Sequence, residues 1–279
     1  MTDTPGRDPR WQKVALVVEY NGQAYSGWQS QHHAPSVQAV LEKALSRIAD
    51  HPVAVVAAGR TDAGVHAAGQ TVHFETVAQR PPRAWTLGCN SHLPADISVR
   101  WAGEVPADFH ARYSAQWRRY RYLICDRATR PALLAGRVAW YHYALDASRM
   151  QQAAGHLPGE HDFSSFRAAE CQSRTAFRRL DEITVRRVGE LVVVDVQANA
   201  FLHHMVRNLA GVLLAVGRGE REPEWAAEVL AARDRRVGGI TAPADGLYFM
   251  GAFYGEHVAV PTPVDVPPPQ PALVPGLAG

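Results

Sequence analysis

Apolar and polar positions follow two periods along this chain. KVALVVEY (13–20) is a nearly continuous apolar run closed by an aromatic, which predicts a buried strand. NGQAYSGWQSQ follows as a loop holding two glycines and two aromatics. Ser36 can cap a helix whose apolar residues Val37, Val40, Leu41, Ala44, Leu45 and Ile48 recur at three- and four-residue steps. PVAVVAA (52–58) and TVHFET (71–76) predict strands on either side of AGRTDAGVHAAGQ, read as a loop. Residues 83–93 predict a second helix and ISVRWA (97–102) a strand. In RRYRYLICD (118–126) Tyr120, Tyr122 and Ile124 share one strand face, and Arg121, Leu123 and Cys125 the other. Asp146 can cap a helix reaching about Leu157. EITVRRV (182–188) and LVVVDVQA (191–198) predict a hairpin turning at Gly189-Glu190. Asn199 is the expected cap of FLHHMVRNLAGVLLAVG, a helix apolar almost all round and so deeply buried. Pro223 suits the first turn of the helix EWAAEVLAA, and GLYFMGAFY (246–254) reads as the last strand.

Strands joined by hairpins, with a few helices, argue for an α+β fold with a mostly antiparallel sheet flanked by helices. Strand–helix–strand near the start is answered by hairpin–helix–helix–strand near the end, so two similar halves sharing one central sheet are expected. Residues 1–10 read as a flexible arm, 11–110 as the N-terminal half, 111–256 as the C-terminal half and 257–279 as a Pro-rich, disordered tail.

Composition narrows the class. Of 279 residues 47% are hydrophobic and 20% charged, a globular balance. No stretch approaches the ~18 apolar residues of a membrane span, and the polar start lacks a signal-peptide core, so a cytoplasmic protein without a membrane partner is expected. Cys89, Cys125 and Cys171 lie far apart with no CxxC, which fits a reducing compartment. His32-His33 and His203-His204 are adjacent pairs and lack the spacing that puts two ligands on one helix face, so no metal is expected.

Net charge is only +2, but it is unevenly spread. Between His110 and Val188 stand fourteen Arg, no Lys and seven acids, 14 − 7 = +7, leaving 2 − 7 = −5 elsewhere. A GC-rich coding bias accounts for Arg over Lys and leaves the clustering unexplained. A local basic belt is the footprint of a phosphate-backbone partner.

The candidate chemistry starts at Asp62. An isolated Asp in a Gly-containing loop is normally a turn residue. Here the loop leaves a buried strand, a rigid support of the kind that carries active-site residues. Gly59, Gly64 and Gly69 would let a backbone approach a ligand, and Arg60 is the one other charged side chain nearby apart from any protonated His66. Arg207 stands inside an otherwise apolar helix, where a charge needs a partner. A snorkelling arginine is the plain reading; a pair with Asp62 is the functional one. The tyrosines of RRYRY, set among arginines, read either as cross-strand packing or as a platform for an unstacked base.

EYNGQAYSGWQSQ, AGRTDAGVHAAGQ, RRYRYLI, DFSSF, NAFLHHMVRNLAG and APADGLY, in this order, resemble the tRNA pseudouridine synthases of the TruA family over about Gln12 to Tyr254. Asn21 stands where the family usually has Asp, and Phe249 where it often has Leu. The resemblance implies the pseudouridine synthase fold, a homodimer, and isomerisation of uridine at tRNA positions 38, 39 and 40 in the anticodon stem-loop, without cofactor or metal. It implies that Asp62 is the essential carboxylate, attacking covalently or assisting deprotonation at the sugar. Arg60 would help extrude the target nucleotide. Tyr120 would stack on the uracil and share in the C5 proton transfer, with Leu247 on the other side of the base. Tyr122 and His66 would be further substrate contacts, and Arg207 the partner of Asp62. Three other readings compete, one of them a synthase of the same chemistry with different RNA targets. A non-catalytic RNA-binding protein could lose Asp62, and an aspartate-dependent glycoside hydrolase generally needs a second carboxylate.

Overall fold

The computed structural model describes residues 11–256 and 258–261. The expected arm (1–10) and nearly all of the expected tail (257–279) lie outside the described residues. The described chain divides into two compact units, 11–116 with 251–261, and 117–250.

In the first unit strands β1 (Gln12–Tyr20), β2 (Val56–Ala57), β3 (His66–Thr76) and β4 (Ile97–Glu104) pair in the order β4-β1-β3, with β2 on β3. All these pairings are antiparallel, and Leu16 of β1 faces Val72 on one side and Ala102 on the other. Flanked by partners on both edges, β1 buries Val14 to Val18 and reads as continuous apolar sequence. Helix α1 (Val37–Ala49) is capped by Ser36, whose Oγ accepts the Ala39 N–H at 3.4 Å. It buries Val37, Leu41, Ala44 and Leu45. The helix expected at 83–93 runs over 82–90, with Ala84–Gly88 wound as a π-helix that buries Trp85 edge-on against Phe74 at 5.1 Å.

Two expectations in this unit need correction. Only Val56 and Ala57 of the expected strand 52–58 are paired. The N–H groups of Val53 and Val55 bond instead to Ser46 Oγ and Glu42 Oε1 of α1, both at 2.9 Å, so helix side chains replace a ladder. Strand β3 also begins five residues earlier than expected, so His66 to Gln70 belong to a strand rather than to the loop.

In the second unit β5 (Trp117–Cys125), β6 (Ala139–Trp140), β7 (Gly159–Asp162), β8 (Phe177–Val188) and β9 (Leu191–Ala198) pair in the order β5-β9-β8-β7, antiparallel, with β6 parallel to β5. Helices α2 (Ala147–Ala154), α3 (Met205–Gly217) and α4 (Trp225–Ala232) accompany them. Asp146 caps α2 as expected, accepting from Ser148 and Arg149. Asn199 does not cap α3: its Oδ1 accepts the N–H groups of Arg179 on β8 (3.0 Å) and Ala200 (2.8 Å). The helix starts at Met205, four residues after the expected Phe201, and follows His204 at φ 60. On the sheet, Asp195 is 2% exposed and receives Arg121 at 2.7 and 2.9 Å and Arg186 at 2.6 Å. Burial pushes its carboxyl up, and the hydrogen bonds from the two guanidiniums bring it below its ordinary range.

Strand β10 (Leu247–Phe253) supplies its first four residues to the second unit and its last three to the first. The fold is therefore α+β with a mostly antiparallel sheet and few helices, as expected. No helix among the described residues is long and apolar enough to cross a membrane.

One buried ring ties β3 to the chain that follows β4. His73, 6% exposed, accepts the Ala111 N–H on Nδ1 at 3.1 Å. Burial, with His110 and Lys13 nearby, lowers its pKa to about 4. The folded value lies below the ordinary one, so the neutral ring's contribution is complete above about pH 6.5 and is lost as pH falls through about 4. Urea midpoints should decline from pH 7 to pH 4.5, and His73→Gln, which keeps an acceptor and cannot titrate, should flatten that decline. An unchanged slope in the variant would contradict the assignment.

Candidate active site

The loop 58–65 between β2 and β3 carries Arg60 and Asp62. Its first residues are tied to the strand it precedes, with Ala58 N–H on Thr71 O at 2.8 Å and the Gln70 amide on Gly59 O at 2.6 Å. Its centre is clamped by the segment after β1. Trp28 N–H donates to Thr61 O at 3.0 Å, and Gly64 N–H donates to Tyr25 O at 3.3 Å. Val65 N–H closes a turn on Asp62 O at 3.2 Å. Tyr20 Oη and Thr61 Oγ1 share a hydrogen bond at 2.8 Å; burial raises the Tyr20 pKa to about 12, so its hydroxyl stays protonated.

This clamp requires glycine at two places. A Cβ on Gly22 would collide with the Val65 carbonyl. Gly27 has φ +98, and a Cβ there would lie 2.8 Å from Thr61 O. Reading the sequence assigned the close approach to Gly59, Gly64 and Gly69; of these Gly64 has positive φ, at 78. The contribution of Gly22 and Gly27 was missed because the two loops meet only in three dimensions. With its backbone fixed on both sides, Asp62 holds a half-buried side chain beside the exposed Arg60. His66 is buried, and its Nδ1 accepts the Gly22 N–H at 3.1 Å. The ring thus joins the segment after β1 to the start of β3.

The second unit gathers Tyr120, Tyr122, Arg207 and Leu247. Tyr120 on β5 is held edge-on by Phe201 at 4.9 Å and Phe249 at 5.0 Å. Tyr122, one pleat along, is fully buried and donates to Pro243 O at 2.8 Å, and burial keeps its hydroxyl protonated far above the usual range. Arg207 lies in the first turn of α3 and exchanges two bonds with one residue. Its Nε donates to Ala242 O at 2.8 Å, and Ala242 N–H donates back to Arg207 O at 3.1 Å. Arg207 and Tyr122 thus fasten Ala242 and Pro243, the segment that delivers the buried Leu247 at the start of β10.

The basic belt is smaller than charge counting indicated. Arg121 and Arg186 pair with Asp195, Arg187 with Asp126, Arg127 with Glu190, Arg149 with Glu222 and Arg179 with Asp181. Three of these acids, Glu190, Asp195 and Glu222, lie beyond the stretch that was counted, so the count missed them.

A family model described as tRNA pseudouridine synthase matches residues 16–114 and 153–255. The tRNA pseudouridine synthase A of Klebsiella pneumoniae is 56% identical over 89% of this chain and 92% of its own length. Those of Vibrio atlanticus (54%) and Coxiella burnetii (53%) match 89% of this chain and 94% and 95% of their own lengths. Among solved structures, an archaeal box H/ACA sRNP complex overlaps 77% of this chain and 51% of its own, at 13% identity and a TM-score of 0.38, too distant to bear on function.

Gly22→Ala and Gly27→Ala should loosen the clamp. Hydrogen exchange at the Trp28 and Gly64 amides should speed up about tenfold or more, since ~1.4 kcal/mol of lost protection is a factor of ten. The amides of central β1 should stay slow. Unchanged exchange at Trp28 and Gly64 would refute the clamp.

Proposed function

We infer from one premise: this chain belongs to the tRNA pseudouridine synthase family and isomerises uridine to pseudouridine in tRNA. In our reading it acts at positions 38, 39 and 40 of the anticodon stem-loop, as a homodimer, with Asp62 as the reacting carboxylate. The observation that carries the assignment is the clamp: a half-buried carboxylate on a loop whose backbone is fixed on both flanks. Such fixing keeps a reacting group aligned without reorganisation during the reaction.

The isomerisation conserves every atom. The N1–C1′ bond breaks, the detached uracil turns, C5 bonds to C1′, the C5 proton leaves and N1 gains one. Asp62 serves at the sugar, by covalent attack on C1′ or by removing a sugar proton. Arg60, exposed beside it, fits contact with RNA and replacement of the extruded nucleotide. Tyr120 and Leu247 hold the uracil between them and keep water from the detached sugar. Tyr122 and His66 position this machinery without touching the base.

Arg207 is the counter-ion of Asp62 in this scheme. A cation in the first turn of a helix meets the positive end of the macrodipole, which disfavours it. A carboxylate partner offsets that term and the burial of both charges. The arginines of the belt would serve the phosphate backbone, and two subunits would double that track.

Incubation with tRNA tritiated at uracil C5 tests the chemistry. Wild type should release label, and Asp62→Ala should lower the rate at least about a thousandfold while still binding tRNA. Modification mapped outside positions 38–40 would overturn the assigned target. Binding without release by the wild type would favour a non-catalytic RNA-binding protein. A double-mutant cycle of Asp62→Asn and Arg207→Gln, read by urea unfolding, should give a coupling of about 1–3 kcal/mol. Additive effects would dismiss the ion pair.

A further inference from the structure

The turn between β4 and β5 is unusually well fastened for a surface segment. Lys13 Nζ donates to Ala107 O at 2.6 Å and Phe109 O at 2.8 Å. His73 Nδ1 accepts the Ala111 N–H, and Tyr254 Oη donates to Ala111 O at 2.7 Å. Within the turn, His110 N–H donates to Ser114 Oγ at 3.0 Å, and Ser114 N–H donates to His110 O at 2.9 Å. The Arg112 and Tyr113 N–H groups both donate to His110 Nδ1, at 3.2 and 3.1 Å.

All this rigidity presents one ring to solvent. Tyr113 is 76% exposed. The His110 ring lies 4.3 Å from it at an interplanar angle of 31°, and the Arg112 guanidinium lies 5.6 Å from its centre. Burying a side chain of this size is worth about 1.5–3 kcal/mol, and folding leaves that gain unclaimed here. A fixed aromatic face beside a guanidinium is the chemistry that holds an unstacked base and its phosphate.

We propose that Tyr113, backed by His110 and flanked by Arg112, is a stacking platform for a nucleotide of the tRNA. The proposal rests on tRNA being the substrate.

Filter binding of tRNA to the full-length protein tests it, with Tyr113→Ala, Tyr113→Leu and Tyr113→Phe compared with wild type. Losing one base stack should weaken binding about 5- to 100-fold in the Ala variant. Leu, apolar but without a π-face, should weaken it as well, and Phe should restore it. An Ala variant within twofold of wild type would overturn the platform. So would a loss of affinity accompanied by a loss of self-association in sedimentation velocity, which would make Tyr113 a protein contact. Tritium release by the wild type is measured alongside. Its absence strikes at the isomerase reading, while the binding comparison still decides the platform.

Discussion

The reaction proposed for Asp62 demands a backbone that cannot drift, and main-chain hydrogen bonds between two loops hold it. Thr61 accepts from Trp28 and Gly64 donates to Tyr25, so Asp62 sits between two fixed points. The bonds need the chains to touch at backbone distance, which is why Gly22 and Gly27 face the loop. His66 belongs to the same device: it lends an acceptor to the Gly22 N–H.

The second unit solves a similar problem with side chains. Arg207 and Tyr122 grip consecutive residues, Ala242 and Pro243, from a helix and a strand. Their grip sets where β10 begins, and β10 carries Leu247 and Phe249, the latter packed against Tyr120. An arginine that looked anomalous in an apolar helix is thus half explained by local architecture. Its position at the helix start, against the positive end of the macrodipole, is unfavourable for a cation.

Much of the fold was legible because period-2 and period-3.6 patterns are local. The β8–β9 hairpin, the Ser36 and Asp146 caps and the strand holding Tyr120 and Tyr122 all lie where the sequence put them. The failures share a cause. Residues 52–55 look like strand, but Ser46 and Glu42 of α1 satisfy their N–H groups, a choice made by tertiary neighbours. Asn199 has the chemistry of a cap, yet β8 offered it another donor. The burial of Tyr122 and His66 is likewise set by neighbours that no motif names. Asp62, Arg60, Tyr120, Arg207 and Leu247 were nameable through short motifs. The glycines that hold the reacting loop were not, since no local pattern distinguishes a close approach from a turn.

The chain's return to its first unit has a consequence during synthesis. Gly251 onward packs with residues 11–116: Gln116 N–H donates to Phe253 O at 2.8 Å, and Tyr254 donates to Ala111 O. These contacts must wait until the intervening 250 − 116 = 134 residues have been made. At roughly 5–20 residues per second a ribosome needs on the order of 7–27 s for that stretch. Throughout that interval the nascent first unit carries the Asp62 loop without the strand segment that packs with it.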